Sequence, residues 1–191
     1  MESLPYNLFL ARRAINYVNI SVGVISPNQL PGQSIGQKNN MRRANNELDT
    51  IRKSIQENLR AIVGNTHSKL YYRKMILLTS ANATESKLGN CGEKAIIAFS
   101  HLKMLGVKPL DLFDIDIDDR GRQGHTIVVI GRVTGNETEP STWNHESVVC
   151  DPWSNQVYPS SIYGRKAPFI GELILRYRYG ENISRNNCTM L

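Results

Sequence analysis

The chain has 191 residues, 40% of them hydrophobic and 21% charged, which suits one packed domain. Its three cysteines form no Cys-x-x-Cys pair, which excludes a disulfide framework or a zinc ribbon as the organising device. The formal charge of +6 sits mostly in residues 1–88, with twelve basic and five acidic side chains, but no nucleic-acid motif accompanies it, so the basic residues read as solvated helix faces.

Residues 5–20 place Leu8, Ala11, Ile15 and Val18 at helical spacing. The stretch 26–40 is rich in Pro, Gly, Ser, Gln and Asn and reads as a loop. From 41 to 63, Ala44, Leu48, Ile51, Ile55 and Leu59 recur at threes and fours, the stripe of an amphipathic helix. A third helix is expected over 68–80. Gly89-Asn90 is turn chemistry, and an apolar-periodic helix then runs from Cys91 to Leu105-Gly106.

Beyond it the period changes. Residues 110–118 alternate, as a half-buried strand does. Asp114, Asp116 and Asp118 invite a calcium reading, but the glycine and terminal glutamate of a calcium loop are missing, so they read as solvent-facing strand positions and no metal is expected. A turn at 119–124 leads to a strand at 125–130, a polar turn segment at 134–141 to another at 147–151, and a last strand is expected at 172–179. The order predicts an α+β fold in a single domain, 1–191: a mainly helical part to residue 85, a nucleophile helix on an antiparallel sheet over 86–180, and a flexible tail at 181–191.

Three residues in this layout carry chemistry. Cys91 opens a helix, where free N–H groups and the helix dipole stabilise a thiolate. His125 begins a strand and Asp151 ends one. Their midpoint is position 138, inside the turn segment, so an antiparallel hairpin makes imidazole and carboxylate cross-strand neighbours. A thiol needs a base, and a base needs an orienting carboxylate. In that role Asp151→Asn is expected to give a graded loss. The bland alternatives are a core cysteine, a strand-end histidine and an Asx turn at Asp151-Pro152. Cys150 points to the face opposite Asp151 and reads as structural. His67, His101 and His145 read as ordinary polar residues, with His145 the reserve base.

Asn90-Cys91-Gly92-Glu93, the strand from His125 to Gly131, and Cys150-Asp151-Pro152-Trp153 resemble the papain-like superfamily, which includes transglutaminase-like enzymes and compact bacterial effector proteases and glutamine deamidases. The resemblance covers about residues 88–158. It implies a papain-like core, a Cys91-His125-Asp151 triad without a cofactor, and amide hydrolysis through a thioester. Where papain carries an oxyanion-hole glutamine this chain has Glu85. The oxyanion donors then fall to the Cys91 N–H and an amide, Asn90 or Asn82, with Trp153 walling the site.

The expected function is a thiol amidohydrolase acting on a protein of a eukaryotic host, in the manner of a bacterial effector glutamine deamidase. A cysteine protease of the same fold, a cell-wall peptidase and a degenerate partner-binding module stay open as alternatives. Met1-Glu2-Ser3-Leu4-Pro5-Tyr6 lacks the pattern of a cleaved secretory signal, so delivery into a host cytoplasm, or an ordinary cytoplasmic location, is expected. Cys188-Thr189-Met190-Leu191 fits a prenylation motif with Arg176, Arg178 and Arg185 upstream, which implies peripheral membrane association through a prenylated Cys188.

Overall fold

The computed structural model describes residues 2–66, 68–117 and 124–180. Cys188 with the tail at 181–191, His67, Asp118 and most of the turn at 119–124 lie outside the described residues. The fold is α+β. Helices α1 (Leu4–Asn16), α2 (Ile35–Val63), α3 (Lys69–Ser86) and α4 (Cys91–Met104) precede the sheet, and a short α5 (Tyr163–Lys166) lies before its last strand. Strands β1 (Leu110–Asp116), β2 (Gly124–Ile130), β3 (Val148–Asp151), β4 (Gln156–Pro159) and β5 (Glu172–Tyr179) form one sheet in the order β4-β3-β2-β1-β5. Every neighbouring pair is antiparallel.

Alternation sorts each strand between two layers. Leu112, Val128, Ile130 and Cys150 face α1 and α4, whose Ala11, Ile15, Ala95 and Phe99 complete that core. Phe113, Ile115, Ile127, Val129 and Val149 face the other way, under Trp143, Tyr158 and Tyr163. Each fully buried aliphatic or aromatic side chain in these layers stabilises the fold by roughly 1.5–3 kcal/mol, which the ordering of the chain largely offsets.

Helix α2 begins at Ile35 rather than at 41, because the stretch read as a loop contains its own helix start. The Ser34 hydroxyl accepts from the Gln37 N–H at 3.2 Å, and the Gln37 side chain accepts from the Ser34 N–H at 2.9 Å. That reciprocal cap satisfies two end donors and lets the polar residues 35–40 wind up. Helix α1 passes into a π-helical turn, Tyr17–Val22. Strand β4 was not anticipated. It follows a tight turn in which Asn155 takes a left-handed φ of 57°, a conformation that asparagine tolerates.

The hairpin carrying His125 and Asp151 has a different register from the symmetric one. Val128 pairs with Cys150, Val129 with Val149 and Ile130 with Val148. Continuing that ladder sets Asp151 opposite Ile127, with His125 two residues further along its strand. A two-residue offset preserves the side-chain face, so the two groups meet diagonally rather than directly. Among the described residues, no helix is long and apolar enough to cross a membrane.

Candidate active site

Cys91 is the first residue of α4 and is partly exposed. The turn before it is packed without slack. A Cβ on Gly89 would lie 2.5 Å from the Glu93 Cβ, so only glycine allows this approach. Segment 25–28 is stitched to the same turn: Ile25 N–H donates to the Lys87 carbonyl, Gly89 N–H to the Ile25 carbonyl, and the Ser26 hydroxyl to the Gly89 carbonyl. Buried Glu93 accepts from the Asn90 N–H at 2.9 Å and from Arg52 Nε and Nη2 at 2.8 Å each. One carboxylate thus caps α4 and fastens α2 to it.

His125 and Asp151 are 2% and 0% exposed, and the His125 Nε2 lies 2.7 Å from the Asp151 Oδ2. The other oxygen, Oδ1, accepts from the Trp153 N–H at 3.1 Å and the Ser154 N–H at 3.2 Å. The carboxylate is therefore fixed by its own turn, and it fixes the ring. With Nε2 so engaged, Nδ1 is the nitrogen left for a thiol. The Cys91 sulfur sits at the same end of the sheet, 3.9 Å from the Gly124 carbonyl oxygen. Burial by itself pushes the imidazole down. The hydrogen bond to Asp151, together with the nearby Cys91 thiol and the charges of both groups, outweighs it and raises the His125 pKa to about 9.

A group whose folded pKa lies above its unfolded value stabilises the protein most below the unfolded pKa and loses that contribution as pH rises through the folded one. The wild-type protein is therefore expected to lose about 3 kcal/mol of stability between pH 6.5 and the region of pH 9. Denaturant titrations of wild type and His125→Gln across this range check it. A difference between the two that does not change with pH would refute the ionic pairing.

Two aromatic rings wall the imidazole. Trp153 stands 5.5 Å and Phe169 4.8 Å from the His125 ring, centroid to centroid. The Trp153 Nε1–H donates to the Asn28 Oδ1 at 3.1 Å, and the Asn28 N–H donates to the Asn90 Oδ1 at 3.3 Å. Asn90 is thereby linked through Asn28 to the Trp153 ring beside His125. Asn82 lies within α3, where its Nδ2 donates to the Leu78 carbonyl of its own helix at 2.9 Å. Cys150 is wholly buried, with its sulfur 3.5 Å from the Ala11 carbonyl, and burial pushes its thiol pKa far up. His145 is exposed in the loop before β3, at the far end of the hairpin from His125. His101 stacks on Tyr17 at 4.0 Å. Asp114 accepts from the Thr126 hydroxyl and from Arg176 Nε, and no cluster of three potential metal ligands occurs among the described residues.

Sequence reasoning missed Phe169, Asn28, Asn19 and Lys94. Lys94 offered a signal, since it is a cation inside an otherwise apolar stretch of α4. It is 6% exposed and its Nζ donates to the Asn19 Oδ1 at 3.0 Å, while the Asn19 Nδ2 donates to the Pro152 carbonyl at 2.9 Å. Burial lowers its pKa, and the charge of Asp151 acts in the opposite direction. The π-helical turn presents Asn19 at this point; such turns are frequent at functional sites. No family model matches the sequence, and no curated protein matches it either.

Proposed function

We propose that this protein is a cysteine-dependent amidohydrolase with a papain-like core, acting on a protein substrate by deamidating glutamine. The observation that carries the reading is the buried 2.7 Å pair of His125 and Asp151 beside a partly exposed cysteine at the first residue of a helix. His125 Nδ1 takes the Cys91 proton, and the thiolate attacks the carboxamide carbon. The C–N bond breaks as the imidazolium returns that proton to departing ammonia. Water, deprotonated by the same ring, then cleaves the thioester to a carboxylate and restores the thiol. The Cys91 N–H and the Asn90 amide are the nearest candidates to stabilise the oxyanion.

The same steps cleave a peptide bond if the chain presents its backbone instead, so the substrate decides between deamidase and protease. Host proteins are the class to test first, following the effector resemblance. Intact-mass analysis of candidate substrates after incubation separates the readings. The mass gain of an amide-to-acid exchange supports deamidation, fragments support proteolysis, and unchanged masses with all candidates weigh towards a binding module.

Lys94 and Asn19 enter as positioning residues, tying the turn after Asp151 to the nucleophile helix. Asn19→Leu and Lys94→Met should each lower kcat roughly ten- to a hundredfold with little change in KM, since small displacements of aligned groups are costly. The double variant should be no worse than either single one, because both cut one link. Additive losses would show that they act separately.

A further inference from the structure

We infer that a second, separate site for a phosphate-bearing anion lies between α1, β4 and α5. Arg12, Arg165 and Lys166 line one concavity of about 410 Å3, together with Asn155, Gln156, Val157 and Tyr158. No carboxylate lines it, and among the described residues none of the three cations is paired with an Asp or Glu. Several other cations of the chain are held by a carboxylate: Arg132 and Arg178 on Asp111, Arg176 on Asp114, Arg52 on Glu93. The pocket at β4 holds three positive side chains and lacks that partner.

The geometry is also partly set in advance. Arg12 Nη1 donates to the Asn155 carbonyl oxygen at 3.3 Å and to its Oδ1 at 3.2 Å. These bonds tether the guanidinium to Asn155 in the pocket lining. Arg165 and Lys166 belong to the last turn of α5. The cationic side chains offer donors and no acceptors, so the ligand they suit is compact, rich in acceptors and multiply charged. Phosphate meets that description, and the guanidinium fork matches its oxygens. A neutral peptide does not.

The experiment uses the full chain. Calorimetric titration with pyrophosphate at low salt is expected to show one saturable site, weakened at least tenfold in Arg12→Gln and in Arg165→Gln/Lys166→Gln. No binding to the wild type, or equal affinity in the variants, would overturn the site. Vesicles of phosphatidylcholine with and without a phosphoinositide identify the source of the phosphate. Sedimentation only with the phosphoinositide, reversed by pyrophosphate and lost in both variants, makes it a lipid headgroup. Pyrophosphate binding without sedimentation makes it a free phosphate compound. Sedimentation that survives in both variants would locate the attraction in the basic helices and overturn the proposal. None of these readouts depends on Cys91 turnover, so the site and the amidohydrolase reading stand or fall separately.

Discussion

Cys91→Ala is expected to abolish turnover on any substrate the protein processes. The loss should be total within assay sensitivity, because no other described thiol can take over: Cys150 is sealed beneath α1 with its sulfur on the Ala11 carbonyl. The fold should survive. Cys91 is partly exposed at a helix start, and its replacement removes one sulfur atom and little packing, so stability should change by less than about 1 kcal/mol. A thiol-reactive probe should label Cys91 far faster than Cys150 in the folded wild type, and labelling of Cys91 should slow in His125→Ala. Residual turnover in Cys91→Ala, or equal labelling of the two thiols, would end the nucleophile assignment.

Asp151→Asn is expected to cost about 10⁴-fold, more than the graded loss read from the sequence. The reason lies in the turn. Two backbone N–H groups, of Trp153 and Ser154, converge on one carboxylate oxygen. In the amide they hold the carbonyl oxygen in that place, which directs the NH2 group at the His125 Nε2. That nitrogen must then accept, the ring proton moves to Nδ1, and the base that Cys91 needs is blocked. Asp151→Ala leaves Nε2 free to keep its hydrogen and should retain more activity than Asp151→Asn. The reverse order, or an asparagine variant close to wild type, would refute this account of the tautomer.

The α+β layout was legible because the second half of the chain changes period at Leu110 and because Cys91 follows a Gly-Asn turn. The helix start at Ser34 was written in the sequence too, as Ser-x-x-Gln, but a composition rich in Pro and Gly masked it. The hairpin register was not legible to better than two residues. Alternation fixes which face His125 and Asp151 share, while the length of the irregular segment between them sets the offset. Phe169 left no sequence signal at all. It reaches His125 because the chain after α5 crosses back beside β1, where Gly171 passes against the Asp116 carbonyl with no room for a side chain. Asn28 and Asn19 act through contacts 125 and 133 positions away, which no local pattern encodes.

Those long-range links bear on when the surroundings of Cys91 are complete. Residues 91–151 hold the thiol, the ring and the carboxylate, yet the turn that steadies Asp151 is tied down by Asn19 and its Trp153 by Asn28. Closing such large loops is slow relative to forming helices, although the entropy cost grows only gently with length. A chain still folding therefore carries Cys91 before its surroundings are complete. Local detachment of the first thirty residues would return it to that incomplete state without touching the thiol, the ring or the carboxylate, so on the amidohydrolase proposal the integrity of the amino-terminal segment would set the fraction of active molecules.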